Sequence, residues 1–337
     1  DSIGIAKRMF TRPVERWTEQ GRPSYLAEVK KWEAGSWRDL PNMEILQASR
    51  RLTKAAIDAY LSMVGGVIPA AWISEAIFTY LYRFLIRRKT EPAAATFLLG
   101  FDSRPIQAEK SLYDLAALAR GQEALAHYLS DTPAKRLAED IQSTQTPEGL
   151  PELSWNEWRT KVFTHLEGYG HMIFDLDFAN PTPADDPAML LQTCRLFLDG
   201  KGVNPYERQQ EASQHREAAA SMIRNRLKGW RLRQFNRFLA LAQRFTPLRE
   251  DALADVGLAY PIIRQIFQHL GFVMTRAGAI DSPEDIYWLT NREVATVCEK
   301  IDQGLPVERA ATAIPERKAA IRSDRKSTRL NSSHRIR

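Results

Sequence analysis

The chain has 337 residues, 44% of them hydrophobic and 9% aromatic, enough to build the core of one large or two medium domains. Its 47 lysines and arginines exceed its 41 acids by six, but residues 324–337 hold five of those bases and one acid, which leaves 42 against 40 in the remainder. A body so close to neutral argues against a nucleic-acid or anionic-membrane partner, and the widely spaced Cys194 and Cys298 read as buried free thiols of a reducing cytoplasm.

In chain order, Asp1 to Arg8 has the pattern of neither a secretory signal nor a transit peptide, and both ends are expected to be cut. Ile45, Leu52, Ala56, Ala59 and Met63 recur at helical spacing between Asp39-Leu40-Pro41-Asn42 and Gly65-Gly66, which predicts an amphipathic helix. The uncharged run Ala59–Ser74 stops short of the roughly 20 residues a spanning helix needs and contains Gly65, Gly66 and Pro69. It reads as two buried helices meeting at a turn, with Arg87-Arg88-Lys89 beyond. Turn formers at 143–153 and 178–187 predict interruptions. Asp186 and Pro187 predict an N-cap and a proline in the first helical position, ending at Gly200, and Asn204-Pro205 opens a long polar helix to about Lys228. Leu227, Trp230, Phe238, Leu241 and Phe245 predict a core stripe on the next helix. Leu253 to Met274 predicts one more, kinked near Gly257 by Pro261. Only Ile286–Thr290 and Met172–Phe174 have strand composition, so the expected fold is mostly α with at most one or two very short strands and a disordered C-terminal tail.

His165, His171, Asp175 and Asp177 are the densest set of metal-ligand types, but the six-residue step between the histidines puts them on different helix faces and no third histidine or cysteine joins them; no metal is expected. The arginines from Arg224 to Arg244 interleave with aromatics like an RNA-binding helix, but several belong to the solvated side of a core helix, so no nucleic acid is expected. Arg249 is read either as an ion-pair partner between helices or as a ligand contact. No phosphate-binding glycine loop, zinc-protease motif or nucleophile elbow occurs before residue 323. The Ser-x-x-Lys, Ser-His and glycosylation-like patterns all fall in the terminal stretch, where Asp324–His334 resembles a translated sequencing-library adapter.

A set of short motifs in fixed order carries a family resemblance. Phe101-Asp-Ser-Arg-Pro105, Leu112–Arg120, Tyr169-Gly-His171, Asp175-Leu-Asp177, Asp186-Pro187, Pro247-Leu-Arg-Glu250 and Asp281–Thr290 resemble the central helical region of phosphoenolpyruvate synthase-like enzymes, including the rifamycin phosphotransferases. The likeness covers about 90–320. Met172 departs from it where an arginine is common, as does Thr182-Pro-Ala184 where Arg-Trp is common.

The resemblance implies a parent enzyme in which an ATP-grasp domain splits ATP with Mg, a swivelling domain carries the phosphoryl on a histidine, and an acceptor is phosphorylated. This chain would be the helical part between them, with residues 1–90 an N-terminal helical segment, 91–322 the central domain and 323–337 an artefactual tail. No catalytic residue, cofactor or metal is expected in it. Its partners would be the two phosphate-handling domains in cis and a small-molecule acceptor, with no membrane, in the cytoplasm. An apolar acceptor pocket is sought among Ile68, Trp72, Phe78, Trp230, Arg249, Phe267 and Met274, with His171, Asp175 and Asp177 as a structural or functional motif. The aromatic and aliphatic members of that set are also what a plain core would use. The alternative function is a non-catalytic helical scaffold or apolar-ligand module.

Overall fold

The computed structural model describes residues 11–173, 175–310 and 314–320, so what was expected of 323–337, and of Phe174 in the short strand, lies outside the described residues. Every regular element among those residues is helical. The α-helices are α1 Arg22–Glu33, α2 Asn42–Gly65, α3 Val67–Leu81, α4 Arg104–Arg120, α5 Glu123–Asp131 and α6 Ala134–Gln142. They continue as α7 Glu152–Tyr169, α8 Ala188–Leu198, α9 Pro205–Arg226, α10 Gly229–Ala254, α11 Tyr260–Arg276 and α12 Asn291–Asp302. Helical residues 11–16 run through a π-turn, Trp17–Gly21, into α1, and 314–320 form a last short helix.

Local chemistry accounts for most of the boundaries. Gly66 separates α2 from α3, because a side chain there would overlap the carbonyls of Pro13 and Ser62. At α9 the Asn204 side chain accepts a hydrogen bond from the Tyr206 amide, with Pro205 in the first turn. Thr290 and Glu293 cap α12 reciprocally. Gly200 takes φ +70°, a left-handed turn just beyond α8.

Four expectations are corrected. Ile286–Thr290 is not a strand: Pro283–Trp288 is a 3-10 turn, set by the reciprocal Ser282 and Asp285 cap. The helix expected to kink near Gly257 breaks, since α10 ends at Ala254, a 3-10 turn spans Asp255–Gly257, and Pro261 sits in the first turn of α11 where its missing N–H costs nothing. The buried stripe of α10 is Phe235, Leu239, Ala242 and Phe245, whereas Trp230 is 61% exposed. Finally, α2 and α3 are not buried all round: Ile57, Leu61 and Val64 on one, and Trp72, Ile73 and Tyr80 on the other, face solvent. By length and composition the helical run Asn42–Ile86 is long and apolar enough to cross a membrane. A smaller adjustment concerns α8, where Pro187 is the N-cap and Asp186 accepts from the Ala188 amide.

The chain divides into two compact units. Of the described residues, the first holds those up to Tyr25, those of Ala56–Asp175 and Thr182–Leu258; the second holds Leu26–Ala55, Leu176–Pro181 and those from Ala259 onward. In the first, α4 to α8 bury Leu115, Leu125, Ile141, Trp155, Trp158, Leu191 and Phe197 together. A neighbouring cluster packs Phe78 and Tyr82 from α3 and its π-turn extension Tyr82–Ile86 against Phe97, Ile223 of α9 and Phe235 of α10. Burial of each such large apolar side chain contributes about 1.5–3 kcal/mol. In the second unit α2 begins on a carboxylate: Asp302 accepts from the Asn42 and Met43 amides at 2.9 and 2.8 Å, a favourable charge at the positive helix end.

Candidate functional site

The buried centre of the first unit's charge chemistry is Asp255, 1% exposed at the end of α10. Its two carboxylate oxygens accept from Arg22 Nε and Arg104, each at 2.5 Å. The Arg104 amide, at the start of α4, also donates to Asp251 at 2.8 Å. His171 lies behind them, buried, with a hydrogen bond to the Ala254 backbone and with Nε2 unpartnered among the described residues. Burial, then the charges of Arg104 and Arg22, push its pKa down to about 4, so the ring is neutral at pH 7. Gly257 is required here: a methyl group on it would overlap the His171 carbonyl. Two of the sequence motifs, Phe101–Pro105 and Tyr169–His171, therefore converge with the end of α10 on one buried carboxylate held by two guanidinium groups. Nothing local marked Asp255 or Arg22, because their partners are more than 150 residues apart in sequence.

The residues sought for an apolar pocket are divided between the units. Phe78 is fully buried, 5.7 Å from Phe97 and 6.0 Å from Phe235 between ring centroids. Trp72 is 64% exposed. Helices α3 and α10 run antiparallel, since Phe78 meets Phe235 while Ala70 and Ala71 share a cluster with Phe245. Trp72 thus lies at one end of the pair and Trp230 at the other, about 20 Å apart at 1.5 Å per residue. Arg249 pairs with Glu75 of α3 at 3.4 Å and with its neighbour Glu250 at 2.9 Å, the ion-pair role of the two foreseen. Ile68 is half-buried in the first turn of α3. In the second unit Met274 is fully buried and Phe267 half-buried, its ring 5.9 Å from Tyr287.

His165, of the metal-type cluster, is buried and bonded through Nδ1 to Ser111 at 2.9 Å, and burial lowers its pKa to about 4. Asp177 accepts from the Ala179 amide at 2.9 Å, closing a turn, and Asp175 is exposed. Among the described residues no three His, Cys, Asp or Glu side chains gather as a metal site would require. Cys194 and Cys298 are free and buried, and burial pushes both thiols up to about 12.

Residues 61–250, more than half of the chain, match the family described as the rifampicin phosphotransferase fourth domain. The chain belongs to this family. No curated protein matches it. The family match takes in all of α3 to α9 and nearly all of α10, and with them both aromatic clusters of the first unit. Two features that depart from the resemblance acquire a structural setting. Met172 is half-buried beside His171, and Thr182 is buried, donating from its amide and hydroxyl to Asp185 at 2.8 and 2.7 Å. The turn they make is pinned to the end of α7 by the Ala184 amide, which donates to the Gly170 carbonyl at 3.0 Å.

Proposed function

We propose that this chain is the acceptor-holding helical domain of an ATP-dependent phosphotransferase that works through a phosphohistidine. The family match over residues 61–250 carries the reading. In it, ATP, Mg and the phosphorylated histidine belong to domains elsewhere in the same cytoplasmic parent, and this chain's task is to present a hydroxyl-bearing apolar acceptor of the rifampicin type.

The face suited to that task is the solvent side of α2 and α3. Leu61 and Val64 from α2 stand exposed with Trp72, Ile73 and Tyr80 from α3, and Phe84 follows in the π-turn, its ring 4.8 Å from Tyr80. Exposed apolar side chains concentrated on two successive helices are where a protein meets a ligand or partner. The Asp255 charge node would serve this face indirectly, by fixing the start of α4 and the end of α10.

Calorimetric titration with rifampicin tests the reading. Binding is expected, and Trp72→Ala should weaken it by about tenfold, the worth of one large aromatic contact. Incubated with ATP, Mg and rifampicin, the chain should release no AMP. An absence of binding heat would overturn the acceptor role, and measurable AMP release would overturn the division of labour between domains.

A further inference from the structure

A basic corner of the first unit lies at the opposite end of the α3 and α10 pair from Trp72. Between Arg224 and Arg237 the chain carries six basic residues and no acid, and between Arg83 and Glu91 it carries four and one. Tertiary contacts bring the two stretches together. Arg226, at the end of α9, donates to the Ile86 carbonyl at 2.8 Å, Arg224 donates to the Asn236 side chain of α10 at 2.9 Å, and the Tyr82 and Phe235 rings stand 6.2 Å apart between centroids.

The charge there is uncompensated. Glu91 is buried and already used, its carboxylate accepting from Arg226 at 3.0 Å and from the Arg88 amide at 2.8 Å. Apart from Arg226 the bases are exposed, and none of these exposed bases pairs with a carboxylate among the described residues. Along α9 the nearest acid is Glu217, two turns and about 10 Å before Arg224, and along α10 it is Glu250, about 30 Å beyond Trp230 at 1.5 Å per residue. The near-neutral balance of the whole body therefore hides a local excess, and such a surface attracts polyanions.

The stripe predicted for α10 places Trp230 in the core, with the arginines as a plain solvated side. Trp230 is instead 61% exposed, and its ring meets no other ring or cation among the described residues. At 3.6 residues per turn, Trp230, Arg233 and Arg237 fall on one side of α10, opposite the buried Phe235, Leu239 and Ala242. Eight of the ten bases are arginines, whose planar guanidinium groups match phosphate oxygens. An open indole between Lys228 and Arg231 adds a stacking face for an unpaired base. We propose that this corner binds single-stranded nucleic acid, with phosphates on the arginines and a base on Trp230.

Fluorescence anisotropy of the full chain with labelled oligonucleotides of about a dozen residues tests this, using a uridine strand, a thymidine strand and a duplex. Either single strand should bind more tightly than the duplex, the tighter of the two naming RNA or DNA as the source. Affinity should fall roughly 10–20-fold between about 50 and 200 mM salt, as release of about three counterions predicts. Trp230→Ala should weaken single-strand binding about tenfold, the worth of one stacked base. Arg233→Glu combined with Arg237→Glu should weaken it at least about tenfold and flatten the salt dependence. All three positions are exposed, so Tm should change little. Residues 324–337 carry bases of their own, and strand binding indifferent to these substitutions would overturn the proposal. So would binding to phosphatidylglycerol vesicles without binding to either strand. Because rifampicin binding is read through Trp72, the two readings can fail independently.

Discussion

Asp255 shows how much a single side chain can organise when its oxygens are fully used. One carboxylate receives two guanidinium groups that are themselves 28% and 30% exposed, so the arginines keep partial hydration while the acid has none. Removing the acid leaves two inward-facing cations beside neutral His171. Asp255→Asn is therefore expected to lower stability by about 2–3 kcal/mol, below the usual cost of breaking a fully buried pair because the arginines can turn to water. Urea unfolding followed by circular dichroism reads this; an unchanged midpoint would show that the arginines carry the node without the acid. Sequence reading singled out His171 through its Gly-His motif and Arg249 through its adjacent acid. It passed over Asp255 and Arg22, whose roles depend on contacts spanning 151 and 233 residues.

Among the elements, the cap of α9 was legible, while the Ser282 and Thr290 caps and the helix approaches were not. Asn204 and Pro205 announced α9 because they act on amides within a few residues. Ile286 to Thr290 misled through aromatic and β-branched composition, because the turn there obeys the Ser282 and Asp285 cap and the flat surface that Gly271 leaves on α11. The dependence on Gly271 gives a direct expectation. Gly271→Ala would favour the isolated helix by up to about 1 kcal/mol, but the clash with Pro283 should outweigh this and destabilise the chain by roughly 1–3 kcal/mol, as overpacking does. A thermal melt distinguishes the two, since a raised Tm would mean that the turn can lift off α11.

Across the molecule, pH acts on groups that the two units bury separately. His165 and His171 of the first unit have pKa values lowered to about 4, against 6.5 in an unfolded chain. Between those values only the unfolded state takes up the protons, so their contribution is complete above pH 6.5 and lost as pH falls toward 4. Each histidine accounts for on the order of 3 kcal/mol over that window. In the second unit the Arg317 hydrogen bond holds Glu293 down to about 2, so its contribution is present above about 4.5 and lost only below that. Urea midpoints should fall between pH 7.5 and pH 5, and His165→Gln should flatten the fall; a midpoint that rises on acidification would contradict the burial of both rings.

The amino-acid order alone determined the helical class, the cap-defined helix limits and, through ordered short motifs, the family to which residues 61–250 belong. These depend on interactions within a few residues or on a pattern carried along the chain. The tertiary structure alone decided that Trp72 and Trp230 stand at opposite ends of one helix pair, that Arg22 and Arg104 share Asp255, and that Arg226 reaches from α9 to the Ile86 carbonyl. Periodicity says which face of a helix is apolar, but not which helix covers it, and a charge carries no record of the distant partner that will neutralise it.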